Sequence, residues 1–175
     1  MQITLRSLSM LHILLILSLT PKRLRSRSFC SKMFADEIEG LLKDDSKFIG
    51  CFPHDMLPPF PKKLPKSMII NTDDSKNPGD HWLGLVLNKK KCYYFDSFGI
   101  PIVEKNIVQY LYQKYPTAVV NTVCIQDTFS ELCGMFVIGF VSFVKDEQDY
   151  ETFLSIFDLQ NLRKNDEIIL KLLRK

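Results

Sequence analysis

Apolar and polar positions alternate along this chain in blocks that suggest a sequence of elements. Asp36–Lys43 (DEIEGLLK) opens on acidic residues and spaces Ile38, Leu41 and Leu42 at helical intervals, which predicts a short helix despite Gly40. The following stretch, FIGCFPHDMLPPFPKKLPK, carries five prolines from Pro53 to Pro65 and reads as an extended segment laid over the surface. Ser67–Asn71 (SMIIN) is a short strand candidate, and the loop TDDSKNPGD leads from it to His81. Trp82–Leu87 (WLGLVL) and Cys92–Phe95 (CYYF) flank the polar Asn88–Lys91 turn, the signature of a β-hairpin. Pro101 suits the first position of a helix whose stripe is Val103, Ile107, Tyr110, Leu111 and Tyr115, with Pro116 ending it. Ala118–Ile125 (AVVNTVCI) reads as a third main strand. LCGMFVIGFVSFV then presents apolar side chains on every side, as a buried central helix does. Last come DYETFLSIFDL and NDEIILKLLRK; in the latter, Asn165 or Asp166 can cap, while Lys171, Arg174 and Lys175 suit the C-terminal end of the helix dipole. The order is helix, strands, helix, strand, helices: an α+β body with no internal repeat.

Residues 1–32 read differently. Leu8–Leu19 (LSMLHILLILSL) is too short for a bilayer span of about 20 residues. Its length fits a signal-like segment, whereas the Arg- and Ser-rich PKRLRSRS that follows resembles an organellar presequence. Residues 1–32 are therefore expected to be an appendage, signal-like or presequence-like, and residues 33–175 the working domain, with Met33 a candidate second start. No stable membrane association is expected unless residues 8–19 act as an anchor.

The formal charge of +3 conceals an asymmetry. Six basic residues and no acidic ones lie in residues 1–35; the remainder holds 17 basic against 20 acidic residues, a net of −3. The body thus lacks the basic field that nucleic-acid binding requires, and Lys89-Lys90-Lys91 reads as a solvated hairpin tip. The five cysteines (30, 51, 92, 124, 133) show no C-x-x-C spacing, and His12, His54 and His81 form no H-x₃₋₅-H pair, so neither a metal nor another cofactor is expected. An odd cysteine count in a chain with an ordinary core points to reduced thiols in an intracellular compartment.

Four polar residues fall at telling places on this frame. His81 stands at the mouth of one hairpin strand and Asp96 at the end of its partner, so that imidazole and carboxylate can meet. A carboxylate on one ring nitrogen selects the tautomer and supports an imidazolium. Cys133 starts the buried helix, where N-terminal amides and an imidazolium both favour a thiolate. Gly134 beside it leaves room for a substrate backbone. Gln126, seven residues upstream of Cys133, has an amide able to donate to an oxyanion together with the Cys133 backbone N–H. Each residue alone has an ordinary explanation: a packed thiol, a surface histidine, a turn-forming Asp-Ser, a glutamine before a loop. Their order along the chain is what stands out.

HW at 81–82, YYFDSFG at 93–99, Gln126 and SELCG at 130–134 resemble the adenovirus-type cysteine proteases, relatives of the ubiquitin-like-protein proteases with homologues in large DNA transposons. Similarity continues through F-x-G-C-F-P-x-D-x-L-P (48–58), IINTD (69–73), PGDHW (78–82) and LRKNDEIILKLL (162–173), and so covers roughly residues 36–175. The resemblance implies a papain-like α+β fold of the adenain and ubiquitin-like-protease type, with a small mixed sheet packed on a buried helix that carries the nucleophile. It implies Cys133 as nucleophile, His81 as base, Asp96 as its orienter and Gln126 as oxyanion donor, with Trp82 walling a narrow channel. It further implies cleavage after small residues such as Gly, in a capsid-like precursor or a ubiquitin-like protein. The adenovirus enzyme has Glu where this chain has Asp96, and Asp is usual in the ubiquitin-like branch. No cysteine matches the attachment site of the adenovirus activating peptide, and the acidic body argues against stimulation by DNA.

Overall fold

The computed structural model describes residues 32–174. Five strands form one mixed sheet in the order β1-β2-β3-β4-β5: β1 Phe48–Pro53, β2 Lys66–Asn71, β3 Trp82–Leu87, β4 Cys92–Phe95 and β5 Ala118–Val120. The central pairs β2–β3 and β3–β4 are antiparallel, while β1 and β5 join the two edges in parallel. Five helices accompany the sheet among the described residues: α1 Ala35–Leu42, α2 Lys105–Tyr112, α3 Cys133–Phe143, α4 Glu147–Ser155 and α5 Arg163–Leu173. None is long and apolar enough to cross a membrane.

The sheet is a middle layer, which explains why WLGLVL lacks polar alternation. Leu83, Leu85 and Leu87 face α2 and pack with Met68, Ile70, Tyr94, Ile107 and Leu111. Trp82 and Val86 face the other way, toward α3, with Ile69, Tyr93 and Phe95. Both faces being dry, every residue of β3 is buried. Helix α3 is buried from Cys133 through Val141 because the sheet, α1, α4 and α5 surround it. Phe140 stacks on Phe95 with ring centroids 4.9 Å apart, and Phe153 of α4 meets both rings edge-on. Gly84 is the crossing point: a Cβ there would lie 2.5 Å from Phe140 Cδ1. Only hydrogen fits between β3 and α3.

Several expectations from the sequence need correction. Phe48–Pro53 is a strand rather than a surface strap; it sits at the sheet edge, with Pro53 as its last residue, where a missing N–H does least harm. Helix α2 begins at Lys105, not at Pro101, after an extended Glu104 cap. Strand β5 ends at Val120 instead of continuing to Ile125; β4 gives way to the 96–99 turn there, and the Ile125 and Gln126 amides bond Ser97 O of that turn. Helix α5 starts at Arg163, so Asn165 lies within its first turn, fully buried. Its side chain donates to Ile125 O and Asp158 O and accepts from Asp158 N, tying three segments together instead of capping. A true side-chain cap occurs at α4, where Asp146 accepts from the Asp149 amide at 3.0 Å.

Candidate active site

Three elements converge at one end of the sheet. His81 immediately precedes β3, Asp96 follows β4, and the antiparallel register pairs Gly84 with Phe95, so the two polar residues emerge at the same end. His81 Nε2 lies 2.9 Å from Asp96 Oδ1. Cys133, first residue of α3, lies close enough to the same imidazole for its sulfur to act on the charge of the ring. The ring of Phe98 lies against the imidazole, 4.9 Å between centroids, and limits its rotation. The thiol, the ring and the carboxylate thus come together, 52 residues apart in sequence from His81 to Cys133.

Burial shapes the electrostatics. Cys133 is 6% exposed and Asp96 2%. Burial is the largest influence on His81 and pulls its pKa down. It is outweighed by the hydrogen bonds to Asp96 and Cys133 and by their negative charge, and together these push His81 from 6.5 up to about 9. The imidazolium is therefore the resting form at neutral pH. It sits beside a sulfur at a helix N-terminus, whose first amides have no partner within the helix. Burial pushes Cys92 up to about 12, and burial with the Glu39 charge raises Cys51 as well. All four described cysteines are free thiols, and Cys30 lies outside the described residues.

Asp96 is held by a group that sequence reasoning missed. Asn121 Oδ1 accepts from the Asp96 amide at 3.0 Å, and its Nδ2 donates to the Asp96 carbonyl at 2.6 Å, bracketing the peptide on both sides. Asp96 Oδ1 also accepts from Phe98 N at 2.8 Å. The turn closes at Gly99, whose φ of +71° and approach to Val123 (2.6 Å for a Cβ) both require glycine. The one clue in the sequence was the polar pair Asn121-Thr122 inside AVVNTVCI.

Gln126 lies on the same side, 1% exposed. Its Oε1 accepts from Ser97 Oγ at 2.5 Å, and its Nε2 donates to Ser130 O at 2.7 Å. A carboxamide carries two N–H donors, so one remains. Ser130 is fixed in turn: its hydroxyl donates to Asp166 Oδ1 at 2.8 Å and accepts from Leu132 N at 3.2 Å.

Trp82 and Gly134 have a neighbour the sequence did not announce. The indole Nε1 donates to Met33 O at 3.0 Å, and a Cβ on Gly134 would lie 3.1 Å from Met33 Cβ. The space Gly134 leaves open is thus taken by Met33, while Lys32 pairs with Asp80 at 3.3 Å beside it. His54, which follows β1, bonds Asn106 at the start of α2 rather than any of the residues above. His12 and the apolar run 8–19 lie outside the described residues. Among the described residues, no group of three or more His, Cys, Asp or Glu side chains is arranged to hold a metal ion.

A helix-borne cysteine beside a carboxylate-paired histidine is an arrangement capable of nucleophilic thiol chemistry. Residues 48–116 match the family model described as adenovirus endoprotease, so the chain is similar to that family over this stretch. His81, Trp82 and Asp96 lie inside the matched stretch; Gln126 and Cys133 lie beyond it. Eight solved chains match. Among them, a crystal structure of the ASFV pS273R protease is 17% identical with a TM-score of 0.36, over 53% of this chain and 44% of that one. The chain therefore spans less than half the length of that protein. No curated protein matches.

Proposed function

We propose that the protein is a cysteine peptidase in which residues 33–175 form the working domain and Cys133 is the nucleophile. The observation that carries the reading is the His81–Asp96 hydrogen bond with the Cys133 sulfur, at the N-terminus of a buried helix, beside the same imidazole. The Cys133 thiolate attacks the substrate carbonyl, and negative charge moves onto the carbonyl oxygen. The remaining Gln126 N–H and the Cys133 amide stabilise that oxyanion. Collapse expels the amine, which takes the proton carried by the His81 imidazolium, and leaves a thioester on Cys133. Neutral His81 then removes a proton from water as the water attacks the thioester. The acid leaves and the thiolate–imidazolium pair is restored. Asp96 keeps the ring oriented and the imidazolium stable throughout.

A nucleophile 6% exposed, whose neighbour Gly134 is covered by Met33 and, through Met33 O, by Trp82, favours an extended chain with small residues at the cleavage point, such as Gly. Together with the family likeness, this supports cleavage of a precursor protein of capsid type or of a ubiquitin-like protein at a Gly-Gly junction. The test is mass spectrometry of products after incubation with both substrate kinds. Cleavage after small residues that disappears in Cys133→Ala is the expected result. Binding of a Gly-Gly fusion without any cleavage, under conditions where Cys133 is alkylated rapidly, would overturn the peptidase reading in favour of a binding module.

A further inference from the structure

We propose that Ser97 is a positioning residue whose hydroxyl holds the Gln126 carboxamide in the orientation that serves the oxyanion; the inference rests on the peptidase reading and extends it to a residue to which neither the motifs nor the mechanism gave a role. Ser97 is wholly buried, and its Oγ donates to Gln126 Oε1 at 2.5 Å. On the opposite side of the amide, Ser130 O accepts from Nε2 at 2.7 Å. A carbonyl oxygen only accepts, so Ser130 settles which end of the amide is nitrogen, and the Ser97 hydroxyl must then act as the donor to the oxygen. Held at both ends, the carboxamide plane cannot rotate, and its second N–H keeps a fixed direction. Such a donor is effective because it needs no reorganisation when charge develops.

The backbone strengthens the grip. Ser97 O accepts from both Ile125 N (2.9 Å) and Gln126 N (3.1 Å), so Ser97 fixes Gln126 by main chain and side chain together. Its chain neighbour Asp96 binds His81. One dipeptide after β4 therefore sets two groups of the site: Asp96 the base, Ser97 the oxyanion donor. Replacing Ser97 with Ala leaves Oε1 buried without its donor and frees the amide to turn.

The test separates this role from mere support of the fold. Ser97→Ala is expected to lower kcat about 10-fold or more with KM nearly unchanged, as a loss confined to the transition state does. In a Gln126→Ala background, which itself loses about 10²–10³-fold, Ser97→Ala should add almost nothing. Alkylation of Cys133 by iodoacetamide, a displacement that forms no oxyanion, should keep its rate and pH profile. By NMR, the Gln126 side-chain amide should shift and exchange faster in Ser97→Ala. If that variant does not fold, Ser97→Cys supplies a weak donor of similar size and should give an intermediate loss. Losses that multiply in the double variant, alkylation that falls in step with turnover, or unchanged Gln126 amide signals would each overturn the proposal. The NMR reading does not depend on turnover. A wild-type chain without hydrolysis but with an amide released by Ser97→Ala would defeat the peptidase reading while leaving the positioning contact intact.

Discussion

Asp96→Asn is the sharpest perturbation the site offers. An Asn oxygen can still accept from His81 Nε2 and from Phe98 N, so the geometry survives while the charge is lost. The rise of His81 from 6.5 to about 9 corresponds to about 3 kcal/mol in favour of the imidazolium, at about 1.4 kcal/mol per pH unit. Burial opposes that rise, so the hydrogen bonds and charges of Asp96 and Cys133 supply more than the net value between them. If Asp96 carries roughly half, its neutralisation lowers the His81 midpoint by at least about one pH unit. A raised histidine contributes stability that is fully present below 6.5 and is lost as pH climbs through about 9. Asp96→Asn should therefore be less stable than wild type at pH 6–7, with the gap closing above pH 9. The direct assay is an NMR titration of the His81 ring, which needs no substrate. A midpoint near 9 in the wild type that falls toward 7–8 in Asp96→Asn is expected, and at pH 8, between the two midpoints, alkylation of Cys133 should slow relative to wild type while Cys92 and Cys51 stay slow in both. A variant midpoint equal to the wild-type value would refute the reasoning, and so would a wild-type midpoint near 6.5.

Two further substitutions test the frame that holds the site. Gly84→Ala puts a Cβ 2.5 Å from Phe140, which cannot retreat because it is stacked on Phe95 in the core; urea denaturation should show a loss of about 1–3 kcal/mol, and wild-type stability would mean the β3–α3 contact is looser than described. Asn121→Ala strips both backbone partners from the buried Asp96 peptide, at about 1–3 kcal/mol for an unsatisfied group. It should also lower the His81 midpoint, and a destabilised variant with an unmoved midpoint would show that Asn121 supports the fold alone.

Much of the architecture was legible because period and burial are local properties of a sequence. The hairpin at 82–95, the buried helix from Cys133 and the amphipathic stripe of α2 follow from side-chain spacing, which dictates which faces can meet water. Elements whose existence depends on a partner elsewhere were not. Phe48–Pro53 becomes a strand because β2 offers an unpaired edge, and no count of prolines contains that fact. Strand β5 stops at Val120, and the Asn121 side chain that follows bonds a backbone 25 residues away, a contact no local spacing announces.

The site divides along the same line. By itself the sequence determined the chemical inventory and its order, a histidine and an aspartate at adjacent hairpin ends and a cysteine at a helix start, since strand pairing alone brings the first two together. Only the tertiary structure decided that the cysteine comes beside that imidazole, that Asn121 bonds the Asp96 backbone and Ser97 the Gln126 amide, and that Met33 covers Gly134. Those contacts join segments that periodicity treats as independent. They arise from how α3 seats against the sheet and how the 96–99 turn locks onto residues 121–126, and hydrogen bonds between distant segments leave no spacing in the chain by which to read them.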